Sequence, residues 1–226
     1  MAKMQPFWWF LPPTASKLCW WSHCQTCTPW TLTSTQFTCE VDTVDYKECA
    51  KSLKFSYTYK WSDISSYSRA VTQCADVFGV YLKANIATAE ANLRFRITNA
   101  AGDGYVEIVF YNETGVGIHY QIAAYKNGEG AIWTGPTYPY TNNTWIWFEV
   151  YDNPVTGVCQ VYVNGTELSA GGRHVFRDSD MATLTVKSGQ SSPSFSFWVD
   201  FMRMYSAQQY PPKLEKCEWE DSDGEP

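Results

Sequence analysis

Six residues, Leu93-Arg94-Phe95-Arg96-Ile97-Thr98, alternate apolar and polar side chains without a break. A two-residue period puts successive side chains on opposite faces only when the chain is extended, so this segment is a half-buried strand. Its neighbours follow the same rule. Gly102-Asp103-Gly104 turns the chain, and Tyr105 to Tyr111 then sets Val106, Ile108 and Phe110 on one face. Ile118 to Tyr125 continues the pattern, and Trp145 to Tyr151 places Ile146, Phe148 and Val150 inward. Val158 to Val163 runs into Asn164-Gly165, a tight-turn dipeptide. Leu53 to Trp61, Val77 to Lys83, Ala182 to Lys187 and Phe195 to Tyr205 complete the set. No segment carries the 3.6-residue period of an amphipathic helix. Roughly ten strands at this spacing predict an all-β sandwich or barrel. The 17% aromatic content agrees, because rings suit a pleated, half-buried surface.

Matching core faces across each hairpin predicts its register. In the first hairpin Phe95 lies opposite Ile108, Leu93 opposite Phe110, and Arg96 opposite Glu107 on the other face. Opposite charges across a strand pair stabilise by roughly 0.2–1 kcal/mol, so that register is chemically coherent. In the second hairpin the same treatment sets Phe148 against Val161, Val150 against Cys159, Trp147 against Tyr162 and Glu149 against Gln160. The predicted core holds Phe95, Ile97, Ile108, Phe110, Phe148, Val150 and Val161, with Cys159 as a packing residue.

Composition divides the chain into three zones. Residues 1–50 are rich in Cys, Trp, Thr and Pro and form an irregular Cys-rich N-terminal extension. Residues 51–208 hold the strands, and residues 209–226 are an acidic tail opened by Pro211-Pro212. A net charge of −6 with no basic run argues against nucleic acid as partner. No apolar stretch approaches the roughly 18 residues of a membrane span, so no membrane insertion is expected. The Phe7-Trp8-Trp9-Phe10-Leu11 run, stopped by Pro12-Pro13, makes no clear signal peptide. Eight cysteines nonetheless suit an oxidising destination. Cys19, Cys24, Cys27 and Cys39, with His23 nearby, admit three states: disulfides, a four-ligand zinc site, or free thiols.

The stretch from Trp145 to Asp152, followed by Gly157 and then Val161-Tyr162-Val163-Asn164-Gly165, resembles the central hairpin of laminin-G-like domains. Phe197 to Tyr205 resembles the last strand of that family, within the concanavalin-A-like lectin/glucanase superfamily. The resemblance spans about residues 53–206. It implies a two-sheet antiparallel jelly-roll sandwich, with ligands on a concave face or at rim loops. Calcium at rim loops is also implied, with Asp103, Asp152 and Asp200 as carboxylates in suitable places. Members of the superfamily include lectins, adhesion modules, glycosidases and lyases, so fold alone leaves function open. Glu40-Val41-Asp42-Thr43-Val44-Asp45 resembles the alternating acidic signature of laminarinase-like glucanases, although Asp45 stands where that family has Glu. Tyr81-Leu82-Lys83-Ala84 and Ile118-His119 are similar to alginate-lyase-like motifs, in reversed order along the chain.

The outward positions of the strands gather Arg94, Arg96, Glu107, Tyr111, His119, Gln121, Trp147, Glu149 and Tyr162. Rings that cover sugar C–H faces, beside planar polar groups that take hydroxyl pairs, make a carbohydrate site; a solvated face laced with charge pairs has the same composition. The expected function is a non-catalytic glycan-binding or adhesion module that needs no cofactor. Its partner would be a surface polysaccharide, and its place the cell exterior, cell surface or virion surface. The alternatives are a polysaccharide hydrolase or lyase on the same fold and a structural virion or appendage protein.

Overall fold

The computed structural model describes residues 18–22, 27, 30–32, 37–48, 50–58, 66–70, 77–86, 90–126, 129–153, 158–168, 175–176, 181–188 and 194–205. In chain order the strands are β1 (Leu18–Ser22), β2 (Thr31–Leu32), β3 (Phe37–Asp42), β4 (Ser52–Tyr57), β5 (Ser66–Ala70), β6 (Val77–Asn85), β7 (Ala91–Asn99) and β8 (Gly104–Glu113). They continue as β9 (Gly117–Lys126), β10 (Gly130–Pro139), β11 (Ile146–Asn153), β12 (Val158–Val163), β13 (Thr166–Glu167), β14 (Met181–Ser188) and β15 (Phe195–Tyr205). One sheet runs β13-β12-β11-β6-β15-β4-β3, with β1 on β15. The second runs β10-β9-β8-β7-β14-β5-β2. All the pairings are antiparallel. The protein is a two-sheet jelly-roll sandwich.

The inward faces of the two sheets meet through rings. Phe95 of β7 packs on Phe78, Phe148 and Phe197 of the first sheet at centroid distances of 6.0, 6.4 and 6.2 Å. Phe110 of β8 meets Phe197 and, where the chain passes from β10 to β11, Tyr140. The Tyr140 hydroxyl accepts the Ala84 N–H at 2.8 Å and donates to the Thr144 carbonyl at 2.7 Å. Burial holds that hydroxyl protonated, with its pKa pushed up to about 12. All seven core residues expected from alternation are buried, and so is Cys159.

The first predicted register is observed: Leu93 opposite Phe110, Phe95 opposite Ile108, Arg96 opposite Glu107. The second is displaced by two residues. Phe148 faces Val163, Val150 faces Val161, Glu149 faces Tyr162, and Cys159 faces Asp152. A shift of two leaves every side chain on its own face, so alternation cannot distinguish the two registers. Asn164 and Gly165 both have positive φ, as the tight turn between β12 and β13 requires.

The described residues before position 50 belong to the sandwich rather than standing apart from it. β1 and β3 belong to the first sheet and β2 to the second, and Cys27 is disulfide-bonded to Cys39 of β3. In β3 only Phe37 is buried, so the strand lacks the alternation that marks its partners. Cys24, Cys49, Cys74, Cys217 and the tail 209–226 lie outside the described residues. Trp133 and Tyr138 sit in β10, at the edge of the second sheet. Its register slips between Thr134 and Thr137, around Gly135 and Pro136, which an edge strand tolerates.

Phe148 is fully buried and touches Phe95 across the sheets. Phe148→Ala is expected to lower the unfolding free energy by about 3–5 kcal/mol, measured by urea titration. A loss below about 1 kcal/mol would contradict the cross-sheet packing.

Candidate functional site

The nine outward residues divide between the two sides of the sandwich. Arg94 and Arg96 on β7, Glu107 and Tyr111 on β8, and His119 and Gln121 on β9 share the outer face of the second sheet. Trp147 and Glu149 on β11 and Tyr162 on β12 lie on the outer face of the first sheet. The single surface expected from alternation therefore does not form. Alternation tells outward from inward but carries no information on which sheet a hairpin joins.

On the second sheet, Glu107 is buried beneath two arginines. Arg96 donates from Nε and Nη2 to Glu107 Oε2 at 3.0 and 2.7 Å, and its guanidinium lies 3.5 Å from the centre of the Tyr105 ring. Arg94 reaches Glu107 Oε1 at 3.3 Å and donates from Nε to Asn92 Oδ1. Tyr105 stacks on Tyr125 at 4.9 Å, and Tyr111 stacks on His119 at 5.2 Å. Gln121 donates to the Gly135 carbonyl at 2.8 Å, which ties β9 to the bulged part of β10. Burial raises the pKa of both Tyr105 and Tyr111, so both phenols stay neutral donors. The arginines keep side-chain exposures of 30% and 17%, so the face is open to a ligand. Lys187 of β14, directly opposite Arg94, and the outward Tyr105 and Tyr125 complete it. The outward parity of Tyr105 was legible in the sequence, whereas the place of β14 beside β7 was not.

The first sheet carries a different cluster. A register slip between Asp200 and Arg203, with Phe201 at positive φ, turns both Asp200 and Arg203 outward although they are three residues apart. The Trp147 ring occupies the space above Gly79, where an added Cβ would stand 2.2 Å from it. Its Nε1 donates to Glu149 at 3.1 Å, Tyr81 meets its edge, and the Arg203 guanidinium lies over it. Residues 43–48 form a strap over this cluster. The N–H groups of Lys47 and Glu48 donate to Asp200 Oδ2 at 2.8 and 2.7 Å, and Asp45 pairs with Lys83. Lys83, Glu149 and Asp200 are 1%, 2% and 0% exposed. Burial pushes the Asp200 carboxyl up to about 7, against the pull of the backbone N–H groups. Burial also raises Glu149, opposed by Trp147 Nε1 and Arg203. The cluster is polar and sealed, while the second sheet's face is polar and accessible.

The remaining motifs are spread out. Glu40 pairs with Lys54, and Asp42 accepts the Trp198 indole N–H, so the acidic run ends β3 and opens the strap. Tyr81-Leu82-Lys83-Ala84 lies in β6 and Ile118-His119 in β9, in opposite sheets. The Cys27–Cys39 bond takes two of the four sulfurs weighed as zinc ligands. Of the carboxylates considered for calcium, Asp103 is held by Asn99 at a turn, Asp200 lies mid-sheet under the strap, and the side chain of Asp152 is outside the described residues. Among the described residues no three His, Cys, Asp or Glu side chains gather as a metal site.

No protein-family model matches the sequence, and no curated protein does. Solved structures of similar fold include an endo-β-galactosidase from Clostridium perfringens that releases GlcNAcα1-4Gal. It is 11% identical, with a TM-score of 0.62 over 89% of this chain and 66% of that one. An endo-β-1,4-glucuronan lyase from Trichoderma reesei is 10% identical, with a TM-score of 0.55 over 84% of this chain and 96% of that one. A sialidase is 12% identical with a TM-score of 0.52; 79% of this chain aligns, but it spans only 17% of the sialidase. At such identities the similarity establishes the fold.

Asp200 generates a prediction. Its pKa is raised in the folded state, so its protonated form stabilises the fold at low pH, and that contribution is lost as pH rises from about 4 to about 7. Asp200→Asn removes the titration. Its unfolding free energy relative to the unaltered protein should climb by an amount on the order of a few kcal/mol across that window and level off above it. Parallel stability curves from pH 4 to pH 8 would show that Asp200 ionises normally.

Proposed function

We propose that this chain is a non-catalytic carbohydrate-recognition module whose ligand lies along the outer face of the second sheet. One observation carries the reading: two ring pairs, Tyr105–Tyr125 and Tyr111–His119, flank a central group of Arg94, Arg96 and Glu107. Tyr105 and Tyr111 are six positions apart on β8, about 20 Å along an extended strand. That length suits several linked sugar units. Rings would cover their C–H faces, and the guanidinium, phenol and amide groups would take the hydroxyls. The finer likeness to laminin-G-like domains belongs to this proposal. So does a place at the cell exterior, cell surface or virion surface, which the Cys27–Cys39 disulfide supports.

The second reading is a polysaccharide-active enzyme. It is favoured by the names of the similar structures, a galactosidase, a lyase and a sialidase, and by the raised pKa values of Asp200 and Glu149. Asp200 lies beneath the strap and Glu149 is buried beside Trp147 and Arg203, so that reading needs residues 43–48 to move to expose Asp200.

Glycan-array binding followed by a reducing-end assay on each hit separates the two. Binding without cleavage is expected. Tyr105→Ala and Tyr111→Ala should each weaken the best hit by about tenfold or more, as losses of anchoring rings do. Trp147→Ala, on the opposite side of the sandwich, should leave affinity unchanged. Loss of binding in Trp147→Ala with retention in both tyrosine variants would move the site to the first sheet.

A further inference from the structure

Lys187 of β14 lies directly opposite Arg94 of β7, and Thr185 opposite Arg96. Like charges facing each other across a strand pair destabilise the sheet. Among the described residues Glu107 is the one carboxylate close enough to offset that pair. Of the two described carboxylates on this face, Glu113 lies at its end, 3.9 Å from His119 Nε2, and Glu107 is already neutralised by Arg96 through two short hydrogen bonds to the same oxygen. Arg94 is then a second cation on that carboxylate, at the longer distance of 3.3 Å, and Lys187 is a third. Among the described residues three cations, Arg94, Arg96 and Lys187, stand against two carboxylates, Glu107 and the more distant Glu113, so the part of the face around Glu107 carries an excess of positive charge on a chain whose net charge is −6. The lysine feels the excess: burial lowers its pKa, and Arg96 and Arg94 lower it further. Thr185 beside Lys187 and Ala123 beside Glu107 are small, so the cationic heads stand above a low floor between the tyrosine pairs.

We infer that the outer face of the second sheet takes an anionic polysaccharide, with Lys187 and Arg94 seating an acidic group of the sugar chain between the Tyr105–Tyr125 and Tyr111–His119 ring pairs. The inference rests on the carbohydrate reading above and adds the chemical class of the ligand. An acidic group at Lys187 and Arg94 would relieve their mutual repulsion, which a neutral sugar cannot do. Charge-assisted hydrogen bonds to a carboxylate or sulfate are also the stronger kind. Carboxylate and sulfate share this chemistry.

The test measures binding of polygalacturonate, dextran sulfate and dextran to the intact protein by titration calorimetry at two salt concentrations. At least one polyanion should bind more tightly than dextran, and more weakly at high salt. Preference for polygalacturonate assigns a carboxylate, and preference for dextran sulfate assigns a sulfate. Lys187→Gln should weaken that binding about tenfold, the scale of one hydrogen bond to a charged group, with a thermal midpoint no lower than that of the unaltered protein. Lys54→Gln makes the same change in net charge on the first sheet and should have no effect. Equal affinity for dextran and the polyanions, no binding of either polyanion, or equal losses in Lys187→Gln and Lys54→Gln would each overturn the anionic class. The carbohydrate reading would survive those results and fails separately, if the array retains no glycan of any kind.

Discussion

Phe95 is the point at which the two sheets are joined. Its ring touches one residue from each of three neighbouring first-sheet strands: Phe78 on β6, Phe148 on β11 and Phe197 on β15. Each such ring contributes its buried apolar area and, beyond that, about 0.5–1.5 kcal/mol per well-placed pair. Removing the contact would uncouple β7 from the centre of the first sheet, and the outer faces of both sheets are held in place by that packing. Tyr140 extends the join at the rim. Its ring lies on Phe110, and its hydroxyl satisfies the backbone of β6 where β11 begins.

With the core so placed, each sheet has an outer face to solvate, and the two do so differently. On the first sheet, Lys83, Glu149 and Asp200 are taken out of water altogether. Buried charge is costly unless it is paired, and the strap supplies the partners: Asp45 for Lys83 and two N–H groups for Asp200. The near-neutral pKa of Asp200 shows that those partners offset only part of the cost of burial. On the second sheet Glu107 is buried too, but the arginines over it keep contact with water. Glu107 is covered by Arg94 and Arg96 of its own face, and the cations around it outnumber it. A cluster sealed beneath its own strap serves the fold. An accessible, uncompensated one is what a charged ligand requires.

Much of the fold was legible in the sequence. Alternation in residues 93–98, 105–111 and 145–151 identified the buried set, and matching core faces gave the register of the first hairpin, with which the Arg96–Glu107 pair agrees. The second hairpin has no such pair, and there the register slipped by two. β3 was missed because it buries one residue in six positions, and β10 because Gly135 and Pro136 interrupt its alternation, which an edge strand tolerates.

By itself, then, the sequence determined that the chain is extended, which side chains point inward, and that the outward positions carry arginines, tyrosines and carboxyls. Only the tertiary structure decided how these positions are shared out. It sent β11 to one sheet and β7–β8–β9 to the other, parting Trp147 and Glu149 from Arg96 and Glu107, and it brought Lys187 from a distant strand to stand against Arg94. The physical reason is that side-chain alternation is a property of a single strand, whereas the neighbours of a strand are chosen by the long-range packing of rings such as Phe95, which leaves no local mark on the sequence.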